Sequence, residues 1–158
     1  MFLARVRDAK LRARFPHVMR LLLAATLTAT LLATTPAVGS ASTTKYFASP
    51  SKSIGCLYGV FEGVRSLRCD LARVDHPKPR PANCPVDYGD AFELRVHGKA
   101  SRVCHGDTVF NSRARVLAYG KTKRFGPFTC RVRKTTGMRC TAPSGHGFRI
   151  SRQRQKLW

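Results

Sequence analysis

Apolar and polar side chains alternate most cleanly from Ala91 to His97, where Phe92, Leu94 and Val96 are interleaved with Glu93, Arg95 and His97. A period of two marks a strand with one face buried and the other wet. Gly98-Lys99 then reads as a hairpin turn into Ala100 to Cys104. Two further hairpins follow when cysteines are set opposite one another. With Cys56 facing Cys69, Tyr58 faces Leu67, Val60 faces Arg65 and Phe61 faces Val64, and Glu62-Gly63 is left as a two-residue turn. With Cys130 facing Cys140, Val132 meets Met138 and Arg133 meets Gly137 around a Lys134-Thr135-Thr136 loop. Phe128, Cys130 and Val132 then point inward, while Arg131 lies opposite Arg139 on the outer face. No segment has the period of a long amphipathic helix, and Ser151 to Trp158 reads as a short helical turn or a final strand. The pattern predicts an all-β fold, a small disulfide-stabilised β-sandwich or barrel built of hairpins. His76-Pro77-Lys78-Pro79-Arg80-Pro81 reads as a stiff crossover around it, because its prolines forbid regular pairing.

One apolar run does not alternate. Leu21 to Leu32 is uncharged, follows Arg5, Arg7, Lys10, Arg12, Arg14 and Arg20, and precedes Gly39-Ser40-Ala41. Charged, apolar and small-residue parts in that order make a signal peptide over residues 1–41, cleaved after Ala41 or Gly39. A bilayer span needs about 20 apolar residues, so a retained anchor is the weaker reading. A start at Met19 gives a leader of ordinary proportions. Residues 42–158 are then a single secreted β domain, extracellular or cell-wall associated.

Cysteine usage agrees with that compartment. Cys56, Cys69, Cys84, Cys104, Cys130 and Cys140 all lie downstream of the leader. An even count in a short exported chain reads as a disulfide framework. Nearest-neighbour pairing joins Cys84 to Cys104 beside the two hairpin pairs, although other connectivities remain formally open. No closely spaced pair suggests zinc, and neither a metal nor another cofactor is expected.

Charge changes the picture more than composition does. After residue 41 the chain keeps 23 Lys and Arg against seven Asp and Glu, a net +16. All seven acids lie before Thr108, and the last 51 residues hold 13 bases and no acid. Such asymmetry points to an anionic partner: a cell-wall polymer, a nucleic acid or an acidic protein surface. The expected role is a non-enzymatic binding or surface-interaction module that attracts anionic polymers through Arg131, Arg133, Arg139, Arg149, Arg152, Arg154 and Lys156. Phe125, Phe128 and Phe148 read as core, and Trp158 as an end residue free to stack.

The alternative is a small secreted hydrolase, nuclease-like, using His105, Asp107 and His146. Two imidazoles and a carboxylate brought together would activate water. Asp107-Thr108 and Gly145-His146-Gly147 are also what tight turns require. No phosphate-cradling glycine loop, GxSxG elbow or HExxH motif is present.

Phe47-x-Ser49-Pro50-Ser51 leading to Ile54-Gly55-Cys56 opens a series of short motifs. Arg68-Cys69-Asp70, Pro79-Arg80-Pro81-Ala82-x-Cys84, Cys104-His105-Gly106-Asp107-Thr108, Tyr119-Gly120 and Gly145-His146-Gly147-Phe148-x-Ile150-Ser151-Arg152 follow. As a set they resemble a family of small secreted actinobacterial proteins of unknown function. The resemblance covers nearly the whole exported part and implies a cysteine-bridged β domain with no known active site to carry over. Two departures stand out. Lys52-Ser53 replaces the Gly-Asn usual in that family after Ser51, and Asp87-Tyr88-Gly89 replaces Asp-Trp-Gly.

Overall fold

Short turns with positive φ organise the chain into hairpins. In the computed structural model, which describes residues 43–158, β1 (Lys45–Ala48) turns through Ser49 to Ser53 into β2 (Ile54–Phe61). The leader expected at residues 1–41 lies outside the described residues. Pro50 presets the turn, and the Lys52 amide donates to the Ser49 carbonyl at 2.9 Å. β2 then pairs antiparallel with β3 (Val64–Leu71) through Glu62 (φ 50) and Gly63 (φ 78), two positive values in succession as a type I′ turn demands. The pairing is Cys56 to Cys69, Tyr58 to Leu67 and Phe61 to Val64, the register expected from the cysteines.

A crossover without strands runs from Leu71 to β4 (Ala91–Arg95), which pairs with β3 and with the two-residue β5 (Ser101–Arg102). The β4–β5 hairpin differs from the expected one. Phe92 meets Arg102 and Glu93 meets Ser101, so the reversal centres on His97 and the strands end early. Val103 still donates to the Ala91 carbonyl at 3.1 Å, and beyond it His105 makes a separate bridge to Asp87. β6 (Arg115–Val116) closes this first sheet in parallel with β1, giving the order β5-β4-β3-β2-β1-β6.

The second sheet is a meander of five consecutive strands. β7 (Thr122–Phe125), β8 (Phe128–Arg133), β9 (Gly137–Thr141), β10 (Gly147–Ile150) and β11 (Gln155–Leu157) pair in chain order. The final strand settles the alternative left open for the C-terminal residues. Gly126 (φ 55) followed by Pro127 makes the two-residue turn between β7 and β8. Cys130 faces Cys140 and Val132 faces Met138, again in the expected register.

Inward residues of both sheets merge into one core. Phe47 stacks on Phe125 at 3.6 Å between ring centroids, Tyr58 meets Phe128 edge-on at 6.1 Å, and Phe92 lies 6.3 Å from Phe148. Each pair takes one ring from each sheet, which makes the fold a sandwich rather than a closed barrel. Three disulfides, Cys56–Cys69, Cys84–Cys104 and Cys130–Cys140, complete it.

Candidate functional site

On β8 the burial alternates strictly: Phe128, Cys130 and Val132 are buried, and Thr129, Arg131 and Arg133 are exposed. The strands beside it carry the same period, so cations that are far apart in sequence come into line. Arg131 on β8 is opposite Arg139 on β9, Arg139 is opposite Arg149 on β10, and Arg149 is opposite Lys156 on β11. Four basic side chains thus form one row across four adjacent strands. Neighbouring strands lie about 4.8 Å apart. Thr122 of β7 extends the row, and a parallel row of Thr129 and Thr141 runs beside it.

Arg131, Arg139 and Arg149 line a shallow depression of about 370 Å³ on the outer face of the second sheet, together with Thr122, Thr129 and Thr141. Among the described residues, no ion pair involves Arg131, Arg133, Arg139, Arg149, Arg154 or Lys156. No acid lies in β7 to β11 or their turns. Like charges across a ladder repel, by about 1 kcal/mol per close pair in water. An anion laid on the row relieves that repulsion.

Trp158 is fixed at the margin of this face. Its backbone exchanges both hydrogen bonds with Gly147 at 3.0 Å, and its indole N–H donates to the Gly145 carbonyl at 2.8 Å. The Arg139 guanidinium sits 5.1 Å from the ring centroid, a cation–π contact that orients this arginine. The expectation of a free end residue is therefore corrected: the ring is already engaged, with Gly147 leaving the room it occupies. Arg152 is also diverted. It pairs with Asp75 at 3.2 Å, a carboxylate shared with Arg73 at 3.5 Å. Arg154 is exposed in the β10–β11 turn, and Arg133 stands one same-face step along β8 from the row.

His105, Asp107 and His146 have separate surroundings. His105 is buried, with Nε2 2.9 Å from an Asp90 carboxylate oxygen and Nδ1 2.7 Å from the Asp107 carbonyl. Acceptors on both ring nitrogens favour the imidazolium. Burial acts to lower its pKa, but the bonds to Asp90 and the Asp107 carbonyl outweigh burial, and the net shift is upward. The Asp107 carboxylate turns instead to Arg68 at 2.8 Å, and that guanidinium holds it below the usual carboxylate range. Arg68 also grips the buried Asp70 at 2.9 and 3.1 Å, and Asp70 accepts from Thr108 Oγ1 and the Val109 amide. This network pins the segment after β5 onto β3. His146 lies in the β9–β10 turn of the other sheet, and no hydrogen bond or ion pair joins it to His105 or Asp107.

Sequence reading missed the threonines between the arginines, though the same alternation that exposes Arg131 and Arg139 also exposes Thr129 and half-exposes Thr141. It also missed the network around Arg68 and Asp70, because beyond their bond to each other their partners Asp107, Thr108 and Val109 are 38 and 39 residues away. Neither a curated protein nor a solved structure matches this chain. The model of a family of unknown function, DUF6636, matches residues 26–158, and the chain belongs to that family.

Proposed function

We propose that the protein is a secreted, non-enzymatic binding module whose outer second-sheet face holds a single chain of an anionic polymer. The observation that carries this reading is the in-register row of Arg131, Arg139, Arg149 and Lys156, with no acid on the sheet. Cations carried on successive strands can meet successive anionic groups of an extended chain, and the threonine row offers hydroxyls to its uncharged parts. Arg139, held by Trp158, is the preorganised member of the row. Disulfides suit an oxidising exterior, and no helix among the described residues is long and apolar enough to cross a membrane.

Retention of the oxidised protein on an anionic wall polymer, single-stranded DNA and a neutral polysaccharide, across a salt series, tests the reading. A charge-matched unrelated protein serves as control. The protein should hold at least one polyanion to higher salt than the control does. Replacing Arg131, Arg139 and Arg149 together by Gln should lower the salt slope by about 2, as expected for three lost contacts to a single strand. A slope unchanged by the triple replacement would reject this face.

A further inference from the structure

At one end of the sandwich, the β1–β2 turn of the first sheet faces the β8–β9 loop of the second across a cleft of about 470 Å³. That volume is in the range that accepts a small ligand. Ile54, Leu71 and Val132 contribute apolar surface, Tyr119 stands in the wall at 40% exposure, and Arg133 and Lys134 approach from the β8–β9 hairpin. Neither cation has an ion-pair partner among the described residues.

Opposite them runs a chain of serine hydroxyls. Ser49 Oγ lies 3.1 Å from Ser51 Oγ, which lies 2.8 Å from Ser53 Oγ. Ser49 is 2% exposed, and its oxygen already accepts the Ile54 amide at 3.2 Å. If the chain ran from Ser53 towards Ser49, the Ser49 hydrogen would be buried with no acceptor, at a cost of about 1 to 3 kcal/mol. The opposite direction satisfies the buried hydroxyl: Ser49 donates to Ser51, Ser51 donates to Ser53, and the Ser53 O–H is left over as a donor at the exposed end. This solvent-facing donor shares the cleft with two unpaired cations, a combination that suits an anionic acceptor.

The geometry points to a binding site for one small phosphorylated polyol or sugar, with its phosphate held by Ser53, Lys134 and Arg133 and its carbon skeleton against Tyr119. Donors arriving from two sheets suit a tetrahedral anion with several terminal oxygens better than a planar carboxylate. Lysine as a point charge is a common phosphate partner. The apolar surface and the tyrosine ring cover the uncharged carbons, as a site for free phosphate alone has no need to do. This site stands independently of polymer binding on the open face, although Arg133 borders both.

The test is an NMR titration of the isotope-labelled, oxidised protein with glycerol 3-phosphate and glucose 6-phosphate, beside glucuronate and inorganic phosphate. Saturable shifts are expected at Ser51, Ser53, Tyr119, Arg133 and Lys134 with at least one of the two phosphorylated probes. S53A and K134Q should each weaken binding of that probe about tenfold. K99Q, which removes an equal charge at the β4–β5 turn, should leave it unchanged. All three positions are exposed, and the amide spectrum of each variant reports that the fold is kept. Absence of saturation with both phosphorylated probes, indifference to S53A and K134Q, or equal loss in K99Q would overturn the site. Glucuronate or inorganic phosphate binding as tightly as the phosphorylated probes would overturn its ligand class. Polymer retention by the triple arginine variant is read separately, so the two readings fail independently.

Discussion

Lys52 sits at φ 56, a left-handed conformation that disfavours any side chain with a Cβ. Glycine meets no such penalty in this turn. K52G should therefore raise stability by about 0.5 kcal/mol, since the relieved strain exceeds the added chain entropy. Chemical denaturation measures it, and a lower midpoint in K52G would contradict the strain argument. Gly137 is the opposite case. It has φ 73, and a Cβ there would run into the Ile150 carbonyl of β10, so G137A should destabilise by about 2 kcal/mol or more and displace Arg139 beside it.

Asp70 and His105 give residue-scale predictions of another kind. Asp70 is a buried carboxylate tied to Arg68, Thr108 and the Val109 amide, and truncation leaves three donors, the Arg68 Nε–H, the Thr108 hydroxyl and the Val109 amide, without the acceptor they share. D70A should cost about 3 to 5 kcal/mol, read from urea unfolding. His105 carries its pKa upward on folding. Its bonds therefore contribute fully below the unfolded value of about 6.5, and the contribution fades as pH rises through the higher folded value. Comparing the unfolding midpoints of H105Q and the parent from pH 5.5 to 9 should show the gap between them narrowing as pH rises. A constant gap would mean that folding leaves the His105 pKa unchanged, and a widening gap that His105 folds uncharged.

Among elements, the hairpins were the most legible part of the chain. Glu62-Gly63 and the two cysteine pairs each specify a register, because a slip of one residue would turn every inward side chain outward. β7 was not anticipated, since Thr122, Lys123 and Arg124 are all exposed on a strand at the sheet edge and show no alternation before Phe125. β6 was invisible for a different reason: two residues in parallel with β1 depend wholly on a distant partner. The serine-lined cleft lay beyond reach as well, because it forms only when turns from separate sheets meet. The row of cations could be read only in part. Arg131 opposite Arg139 follows from one hairpin, whereas Arg149 and Lys156 join through strands whose register the sequence left open.

That row places strain on β8 and β9, and the Cys130–Cys140 bridge joins the same two strands one residue away on the inner face. Covalent closure thus holds together neighbours whose outer side chains repel. Replacing both cysteines by alanine should cost about 3 kcal/mol. The loss should shrink as salt rises and screens the arginines. Unfolding at low and high ionic strength measures both quantities, and a loss independent of salt would separate the bridge from the charge row.

At the scale of the molecule, acids and bases are sorted between the sheets. Every Asp and Glu of the described residues belongs to the first sheet or the segments around it, and the second sheet is purely basic. A polyanion therefore attracts one side of the sandwich far more than the other. This sorting was visible as a charge asymmetry along the chain, but its meaning depended on the halves folding as separate layers.

The bridges respect the same division. Cys56 joins Cys69, Cys84 joins Cys104 and Cys130 joins Cys140, at separations of 13, 20 and 10 residues, and none crosses from one sheet to the other. In a chain entering an oxidising space with its N-terminus first, each odd cysteine meets its own partner before any later thiol has arrived. Order of emergence alone then yields the native connectivity, and no bond has to be broken and reshuffled on the way. The two layers can be locked one after the other and meet only at the end, through aromatic rings.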